Sequence, residues 1–220
     1  MFDTVKKNLS QIQEEIVPYK PNIIAVTKYF GQDAIIAAYE AGLRNFGESR
    51  AVEAIEKLNQ LPDSVRNNSA FHFIGHLQTN KVRKVVEHFD YIHSIDSVKL
   101  AKAVANAALE IGKVQNVLLQ LNNAEEVQKF GFSKEELMDS FEEIFKMDGL
   151  NLTGLMNMAP LGASDGELER LFLDVAATRD LLEKRFNCKL PEISMGMSQD
   201  YVIAARCGAT MLRIGRKLFI

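Results

Sequence analysis

Residues 22–28 read NIIAVTK, a short apolar run that ends on a lysine and directly follows prolines at positions 18 and 21. Apolar runs of four to eight residues bounded by turn residues are typical of strands buried on both faces of a parallel sheet. The run therefore predicts a first strand over residues 23–27, with Lys28 just beyond its carboxyl end.

Seven further runs of this kind follow along the chain. They lie at residues 45–47, 71–74, 91–95, 117–121, 152–156, 192–195 and 211–214. Stretches with helical periodicity separate them, and a leading helix with Val5, Leu9 and Ile12 on one face precedes the first run. Alternating strands and helices predict a parallel sheet with right-handed crossovers.

Eight strands and a leading helix favour an α/β fold, a single (β/α)8 TIM-type barrel with an extra N-terminal helix. A doubly wound open sheet has the same local pattern. The barrel is favoured by the count of eight and by the lack of a G-x-G-x-x-G sequence after the first strand. No repeat, low-complexity tract or linker divides the chain, so we expect one domain over residues 1–220.

The composition argues against several classes of protein. Hydrophobic residues make up 47% of the chain and charged residues 25%, which is ordinary for a soluble globular protein. The formal charge of -3 gives no electrostatic reason to expect nucleic acid or an anionic membrane as a partner. Cys188 and Cys207 lack a metal-ligand spacing. No signal peptide or membrane-spanning run is visible, and we expect a cytoplasmic protein.

The functional sites of such barrels lie at the carboxyl ends of the strands, and phosphate sites often follow strands seven and eight. Lys28 follows strand one, Ser194 and Ser198 bound the segment after strand seven, and Arg213 and Gly215 end strand eight. A lysine past a strand is usually a solvated loop residue. However, closure of the barrel makes the first and last strands neighbours, and an amine beside an anion site is what pyridoxal phosphate requires.

The other candidate residues are weaker. His72 and His76 would lie roughly 13 Å apart on a continuing strand at about 3.3 Å per residue, too far for one metal ion. We expect His72 to pack or hydrogen-bond inside the barrel, His76 to lie in the following loop, and no metal site. Glu48 could be an acid/base group or a helix cap, and Cys207 an inert buried thiol.

Eight strings occur along the chain in a recognisable order. They are IIAVTK, NFGES, FHFIGHLQTNK, IHSIDS, KFGF, GLMNMAP, ISMGMSQD and MLRIG. Nearly end to end, the chain resembles the pyridoxal phosphate homeostasis proteins, which are relatives of the N-terminal barrel of alanine racemase. The resemblance implies a barrel of fold type III that holds pyridoxal 5'-phosphate.

The resemblance also implies roles for individual residues. Lys28 matches the lysine that forms a Schiff base with the cofactor, and Arg213 matches the residue facing the pyridine nitrogen. Ser194 and Gly215 match phosphate contacts, helped by the backbone around neighbouring residues. The full implied set of cofactor-binding residues is Lys28, Ser194, Met197, Ser198, Arg213, Gly215 and Arg216. His72 and Asn80 match positions that line the pocket.

The chain departs from the family pattern at several positions. The family commonly reads FGEN followed by tyrosine, whereas this chain has Ser49 in place of the amide and Arg50 in place of the tyrosine. Arg216 replaces a small residue that often follows the RIG string. The departures put the contacts to the ring oxygen in doubt, but they leave the lysine and the phosphate cradle in place.

The expected function is to carry and buffer pyridoxal phosphate in vitamin B6 homeostasis, without robust turnover and so without a catalytic residue. Racemisation needs acid/base groups on both faces of the substrate carbon. Lys28 can serve one face, and Tyr29 is the one tyrosine worth testing for the other. The alternatives are a fold type III enzyme such as an amino-acid racemase, or a Schiff-base aldolase without cofactor. Apo-enzymes or free amino acids are the expected acceptors, and a monomer is expected.

Overall fold

The computed structural model describes residues 1–124 and 130–220, so Lys129 of the KFGF string lies outside the described part. Eight parallel strands pair in sequence order and close into a barrel. They are β1 (Asn22–Val26), β2 (Asn45–Glu48), β3 (Ala70–Phe73), β4 (Tyr91–Ile95), β5 (Gln115–Leu121), β6 (Leu150–Asn157), β7 (Glu192–Ser194) and β8 (Met211–Ile214). The predicted TIM-type barrel is confirmed, and every predicted strand end lies within two residues of the observed one.

Helices occupy the connections and the outside of the barrel. They are α1 (Phe2–Glu15), α2 (Gln32–Glu40), α3 (Ala51–Asn59), α4 (Asp63–Arg66), α5 (Val82–His88), α6 (Val98–Glu110), α7 (Lys134–Phe145), α8 (Asp165–Phe186), α9 (Tyr201–Arg206) and α10 (Arg216–Phe219). The predicted leading helix is confirmed, and its apolar face of Val5, Leu9 and Ile12 is buried. Within the described residues, no helix combines the length and apolarity needed to span a membrane.

Closure of the barrel occurs between β1 and β8. Ile24 pairs with Arg213, and Ala25 pairs with Ile214. The backbone N–H of Asn22 also donates to the Thr210 carbonyl at 2.7 Å. On its other edge β1 pairs with β2, so the carboxyl end of β1 lies between those of β2 and β8. This order places the lysine after β1 beside the glycine after β8.

The barrel interior contains a group of fully buried polar side chains. Barrel interiors are usually filled by branched apolar residues. Here His72 of β3, His93 of β4, Ser194 of β7 and Arg213 of β8 are all at most 4% exposed. Buried polar groups must find hydrogen-bond partners within the protein, so these four side chains depend on one another. The expectation that His72 packs or hydrogen-bonds inside the barrel is confirmed.

Candidate functional site

A cavity of about 660 Å³ opens at the carboxyl ends of the strands, where the mouth of the barrel lies. Residues that follow β1, β2, β3, β6, β7 and β8 line it. Six of the seven residues implied as cofactor contacts are in this lining: Lys28, Met197, Ser198, Arg213, Gly215 and Arg216. The structure therefore brings residues from opposite ends of the sequence into one cavity.

Lys28 presents a free amine at this mouth. Its side chain is half-buried, and its Nζ lies 5.1 Å from the centre of the Tyr29 ring. With the other described residues, the amine forms no ion pair or hydrogen bond. The adjacent Tyr29 ring is 71% exposed, so the approach to the amine is open to solvent. A nucleophilic nitrogen without an internal partner is available to react with an aldehyde.

Two turns, one after β7 and one after β8, form an anion cradle in the same cavity as Lys28. Ser198 Oγ accepts hydrogen bonds from the backbone N–H groups of Gly215 and Lys217, each at 3.3 Å. The N–H groups of Ser198, Gln199 and Arg216 donate to no acceptor in the described part of the chain. Unused backbone N–H groups that converge in a turn are suited to bind phosphate oxygens. The cradle therefore has three backbone N–H groups available to bind an anion.

The first of these turns depends on Gly196. Its φ of +87° lies in the left-handed region, and an added Cβ would come within 2.5 Å of Ala204 Cβ in α9. Asp200 closes the turn, because its Oδ1 accepts a hydrogen bond from the Met197 N–H at 2.5 Å. Burial raises the pKa of Asp200, opposed by that hydrogen bond and by the charge of Arg213. The turn therefore has a fixed shape before any ligand binds.

Arg213 lies in the wall of the cavity and is otherwise buried. Its guanidinium donates to Ser194 Oγ and to the Asn157 carbonyl, both at 2.7 Å. Burial lowers the pKa of Arg213 to about 10, with Asp200 acting in the opposite direction. The side chain stays charged at neutral pH, and a guanidinium can only donate hydrogen bonds. It is oriented from behind by two fixed acceptors.

A chain of hydrogen bonds continues from Ser194 through the barrel interior. Ser194 Oγ lies 2.9 Å from His93 Nδ1, His93 Nε2 lies 2.9 Å from His72 Nδ1, and His72 Nε2 lies 3.0 Å from Asn45 Oδ1. Burial lowers the pKa of His72 to about 3 and that of His93 well below its usual value, so both rings are neutral.

The groups at the two ends of this hydrogen-bond chain, Arg213 and Asn45, fix which atom donates in each bond. Asn45 Oδ1 can only accept, so His72 carries its proton on Nε2 and accepts from His93 on Nδ1. His93 Nδ1 must then accept the hydroxyl proton of Ser194, whose oxygen already accepts from Arg213. Each of the three intervening groups, Ser194, His93 and His72, therefore has one donor and one acceptor partner.

The comparisons with known proteins agree with this geometry. The family model of the alanine racemase N-terminal domain matches residues 2–220. The pyridoxal phosphate homeostasis protein of Synechocystis is 39% identical over 203 residues, which are 92% of each chain. This chain belongs to the pyridoxal phosphate homeostasis protein family.

Solved structures extend the family's likeness to three dimensions. The structure of PipY from Synechococcus elongatus with pyridoxal phosphate bound superposes with a TM-score of 0.88 at 35% identity, covering 98% of this chain and 100% of PipY. An alanine racemase from Clostridium difficile superposes with a TM-score of 0.80 at 15% identity, which shows a shared fold. The superposition covers 99% of this chain and 56% of that racemase.

The residues of this family member fit pyridoxal phosphate. Lys28 would supply an amine for the aldehyde, the cradle would supply N–H donors for the phosphate, and Arg213 would supply a donor for the ring nitrogen. When bound, the cofactor would supply an aldehyde that links to amines and a ring that withdraws electrons. A buried acceptor beside Arg213 also stays open, because Asn157 Oδ1 has no hydrogen-bond partner in the described structure.

Ser194, which the resemblance implies as a phosphate contact, lies outside the lining of the cavity. It is fully buried and is not among the residues that line the cavity. Its oxygen accepts from Arg213, and its proton goes to His93. His72 also lies behind the cavity wall, and the exposed Asn80 lies in the 3-10 turn Thr79–Lys81. Ser194 is therefore placed to support Arg213, and its contact with phosphate stays a prediction.

Glu48 is neither the helix cap nor the free carboxylate that the sequence allowed. It is 2% exposed, and its Oε1 accepts from Lys57 Nζ and from Thr27 Oγ1, both at 2.6 Å. Lys57 Nζ also donates to the Thr27 carbonyl at 2.8 Å. The three groups fix the backbone immediately before Lys28. Lys57 could not be predicted from the sequence, because a lysine in a helix nine residues after a glutamate carries no distinguishing signal.

The remaining candidates have structural surroundings. His76 lies in the loop after β3, as predicted, with its ring stacked on Phe130 and its Nδ1 3.3 Å from Asp96. Cys207 is buried, and burial raises the pKa of its thiol, which fits the expected inert thiol. Among the residues that the structure describes, no three metal-binding side chains cluster.

Proposed function

We propose that this protein binds pyridoxal 5'-phosphate in the mouth cavity, holds it through a Schiff base on Lys28, and so carries and buffers the cofactor. The observation that supports this most is the convergence in one cavity of an unpartnered amine and three unused backbone N–H groups. The family membership and the cofactor bound to PipY agree with it.

The proposed contacts divide between the two sides of the cavity. The N–H groups of Ser198 and Arg216 bind the phosphate, within the turns formed by Met197 and Gly215. Arg213 faces the pyridine nitrogen and keeps it unprotonated, because a guanidinium offers only donors. An unprotonated ring withdraws electrons weakly. Such a ring suits storage of the cofactor better than demanding carbanion chemistry.

The lining of the cavity supports a carrier over an enzyme. Besides Lys28, the described lining offers two groups of acid/base type, Tyr29 and Asp200. Asp200 is engaged by the Met197 N–H, and Tyr29 is largely exposed beside the amine. A racemase needs a second positioned acid/base group on the opposite face of the substrate carbon. In the described lining, no acid/base group is fixed by a hydrogen bond on the face of the substrate carbon opposite Lys28.

A fold type III racemase or lyase is the second candidate, and Tyr29 is the residue that favours it. Exchange of the α-proton of alanine in deuterated water, followed by NMR, separates the two functions. The carrier predicts no exchange above that of free pyridoxal phosphate with lysine. Exchange at enzymatic rates that disappears in Tyr29→Phe would establish the enzyme instead.

Release of the cofactor needs only an amine. Its neutral nitrogen replaces the Lys28 nitrogen in the neutral carbon–nitrogen double bond, and two protons pass from the incoming nitrogen to the leaving one, with no water or oxidant consumed. Free amino acids, or the lysine of an apo-enzyme, are the acceptors that we propose. The open approach beside Tyr29 allows either to enter. The monomeric state and the cytoplasmic location stay predictions.

Absorbance spectroscopy with pyridoxal phosphate, then borohydride reduction and peptide mapping, tests the proposal. We expect a Schiff-base band near the visible range and the reduced label on Lys28. Lys28→Ala should lose the band, while Lys84→Ala, an exposed lysine of α5, should keep it. A label on another lysine would overturn the assignment. A protein that stays colourless would favour the aldolase without cofactor.

A further inference from the structure

Arg50 stands beside Lys28 at the mouth of the barrel. It is the second residue after β2, and Ser49, which lies between β2 and Arg50, lines the cavity. The Arg50 guanidinium lies 6.0 Å from the centre of the Tyr29 ring, and Lys28 Nζ lies 5.1 Å from the same centre. Both cations therefore lie close to the same aromatic ring.

The charge of Arg50 is not used inside the protein. Its exposed guanidinium meets no carboxylate within 4 Å in the described residues. Other surface arginines behave differently: Arg83 pairs with Glu110 at 2.8 Å, and Arg179 pairs with Asp180 at 2.6 Å. The exposed Tyr29 ring keeps the unpaired guanidinium near the mouth, because a cation is attracted to an aromatic face.

The phosphate does not need this charge either. The anion cradle follows β7 and β8, whereas Arg50 follows β2, and β1 with Lys28 lies between them. A ligand that reaches Lys28 therefore meets the cradle on one side and Arg50 on the other. Arg50 is placed for a second negative group, close to the nitrogen that links ligand and cofactor.

We propose that Arg50 binds the α-carboxylate of an amino acid that takes the cofactor from Lys28. This inference rests on the proposed function and names its preferred acceptor as a free α-amino acid. The carboxylate of such an acceptor is attached to the carbon next to the reacting nitrogen, so it lies beside the former position of Lys28 Nζ. Arg50 supplies the forked donor geometry that a carboxylate accepts.

The test compares two unreactive conjugates that differ only in the carboxylate. N-phosphopyridoxyl-L-alanine and N-phosphopyridoxyl-ethylamine are both reduced and cannot form a Schiff base with Lys28. Calorimetry on the cofactor-free protein gives the dissociation constant of each. We expect the alanine conjugate to bind roughly three- to tenfold more tightly, the range for one partly exposed ion pair with arginine. The preference should decline as salt is added.

Variants assign that preference to one side chain. Arg50→Gln should lose the preference and leave the affinity for the ethylamine conjugate unchanged, whereas Arg50→Lys should keep part of it. Arg66→Gln is the matched control, an exposed and unpaired arginine of α4. A preference that survives in Arg50→Gln, or is absent from the wild type, would overturn this inference alone. Failure of both conjugates to bind would overturn the proposed function, and this inference with it.

Discussion

Ser194 Oγ lies 2.9 Å from His93 Nδ1, and its single hydroxyl proton points into the barrel interior instead of toward the mouth cavity. The serine thereby joins the cavity to a buried chain that ends at Asn45. Arg213 donates to the same oxygen, so the chain also fixes the guanidinium. The polar interior of this barrel is best understood as the support for Arg213.

Replacement of His93 tests the chain. His93→Leu leaves the Ser194 hydroxyl proton without an acceptor and His72 Nδ1 without a donor, although Ser194 Oγ still accepts from Arg213. Each unsatisfied group costs about 1–3 kcal/mol. We therefore expect about 2–6 kcal/mol less stability in urea unfolding, and weaker binding of pyridoxal phosphate. His93→Gln, which can both donate and accept, should recover part of both losses. Unchanged stability in His93→Leu would show that the chain contributes nothing.

The buried histidines also predict how stability depends on pH. The pKa of His72 is about 3 in the folded protein and near 6.5 when unfolded, so between these values the unfolded chain binds the extra proton. Stability contributed by neutral His72 is complete above 6.5 and is lost as the pH falls toward 3. The slope is about 1.4 kcal/mol per pH unit for one group.

Urea unfolding between pH 7 and pH 4 measures that slope. His72→Gln removes the titrating group, so its stability should fall less steeply with decreasing pH than that of the wild type. His88→Gln is the control, since His88 is a half-exposed histidine at the end of α5. Equal slopes in the wild type and His72→Gln would contradict the buried neutral ring.

Much of the fold could be predicted because buried parallel strands are nearly continuous apolar runs. The pattern predicted all eight strands, and their number favoured the closed barrel that the structure shows. The same rule predicted that Lys28 and Gly215 share a cavity, because the first and last strands of a closed barrel are neighbours. Backbone topology was sufficient for this part of the site.

The side-chain partners could not be predicted in this way. Ser194 and His93 are 101 positions apart, and their contact depends on which residues of two short strands face inward at the same height. A shift of one residue reverses the direction of every side chain in a strand. Periodicity in a strand as short as β7 does not fix that register, so the phosphate role implied for Ser194 could not be tested against its true neighbours.

Lys57 is predicted to hold the backbone before Lys28 by pairing with buried Glu48. Lys57→Met removes the ion-pair partner of a carboxylate that is 2% exposed, and breaking a buried pair in this way costs about 3 kcal/mol or more. We expect a large drop in stability and a weaker Schiff-base band, because the Thr27 carbonyl also loses one of its two donors and keeps only the Phe30 N–H.

Two further variants separate the buried pair from a surface effect. Lys57→Met combined with Glu48→Gln removes both charges and should recover much of the stability. Lys102→Met breaks an exposed ion pair with Glu143 and should change the stability little. If Lys57→Met and Lys102→Met have the same effect in thermal unfolding, the proposed anchoring is wrong.

Gly196 is the position where the shape of the phosphate turn can be tested alone. An alanine there would adopt a φ of +87°, and its Cβ would lie 2.5 Å from Ala204 Cβ, so the turn must move away from α9. We expect Gly196→Ala to lower stability by more than about 1 kcal/mol and to weaken binding of pyridoxal phosphate at least tenfold.

Gly166→Ala is the matched control, because Gly166 lies in α8 with open space around its Cα and an ordinary φ. That change should leave cofactor binding intact and raise stability by about 0.4–1 kcal/mol, since it restricts the unfolded chain. Equal cofactor affinity in the two variants, measured by titration of the absorbance band, would show that the phosphate binds elsewhere.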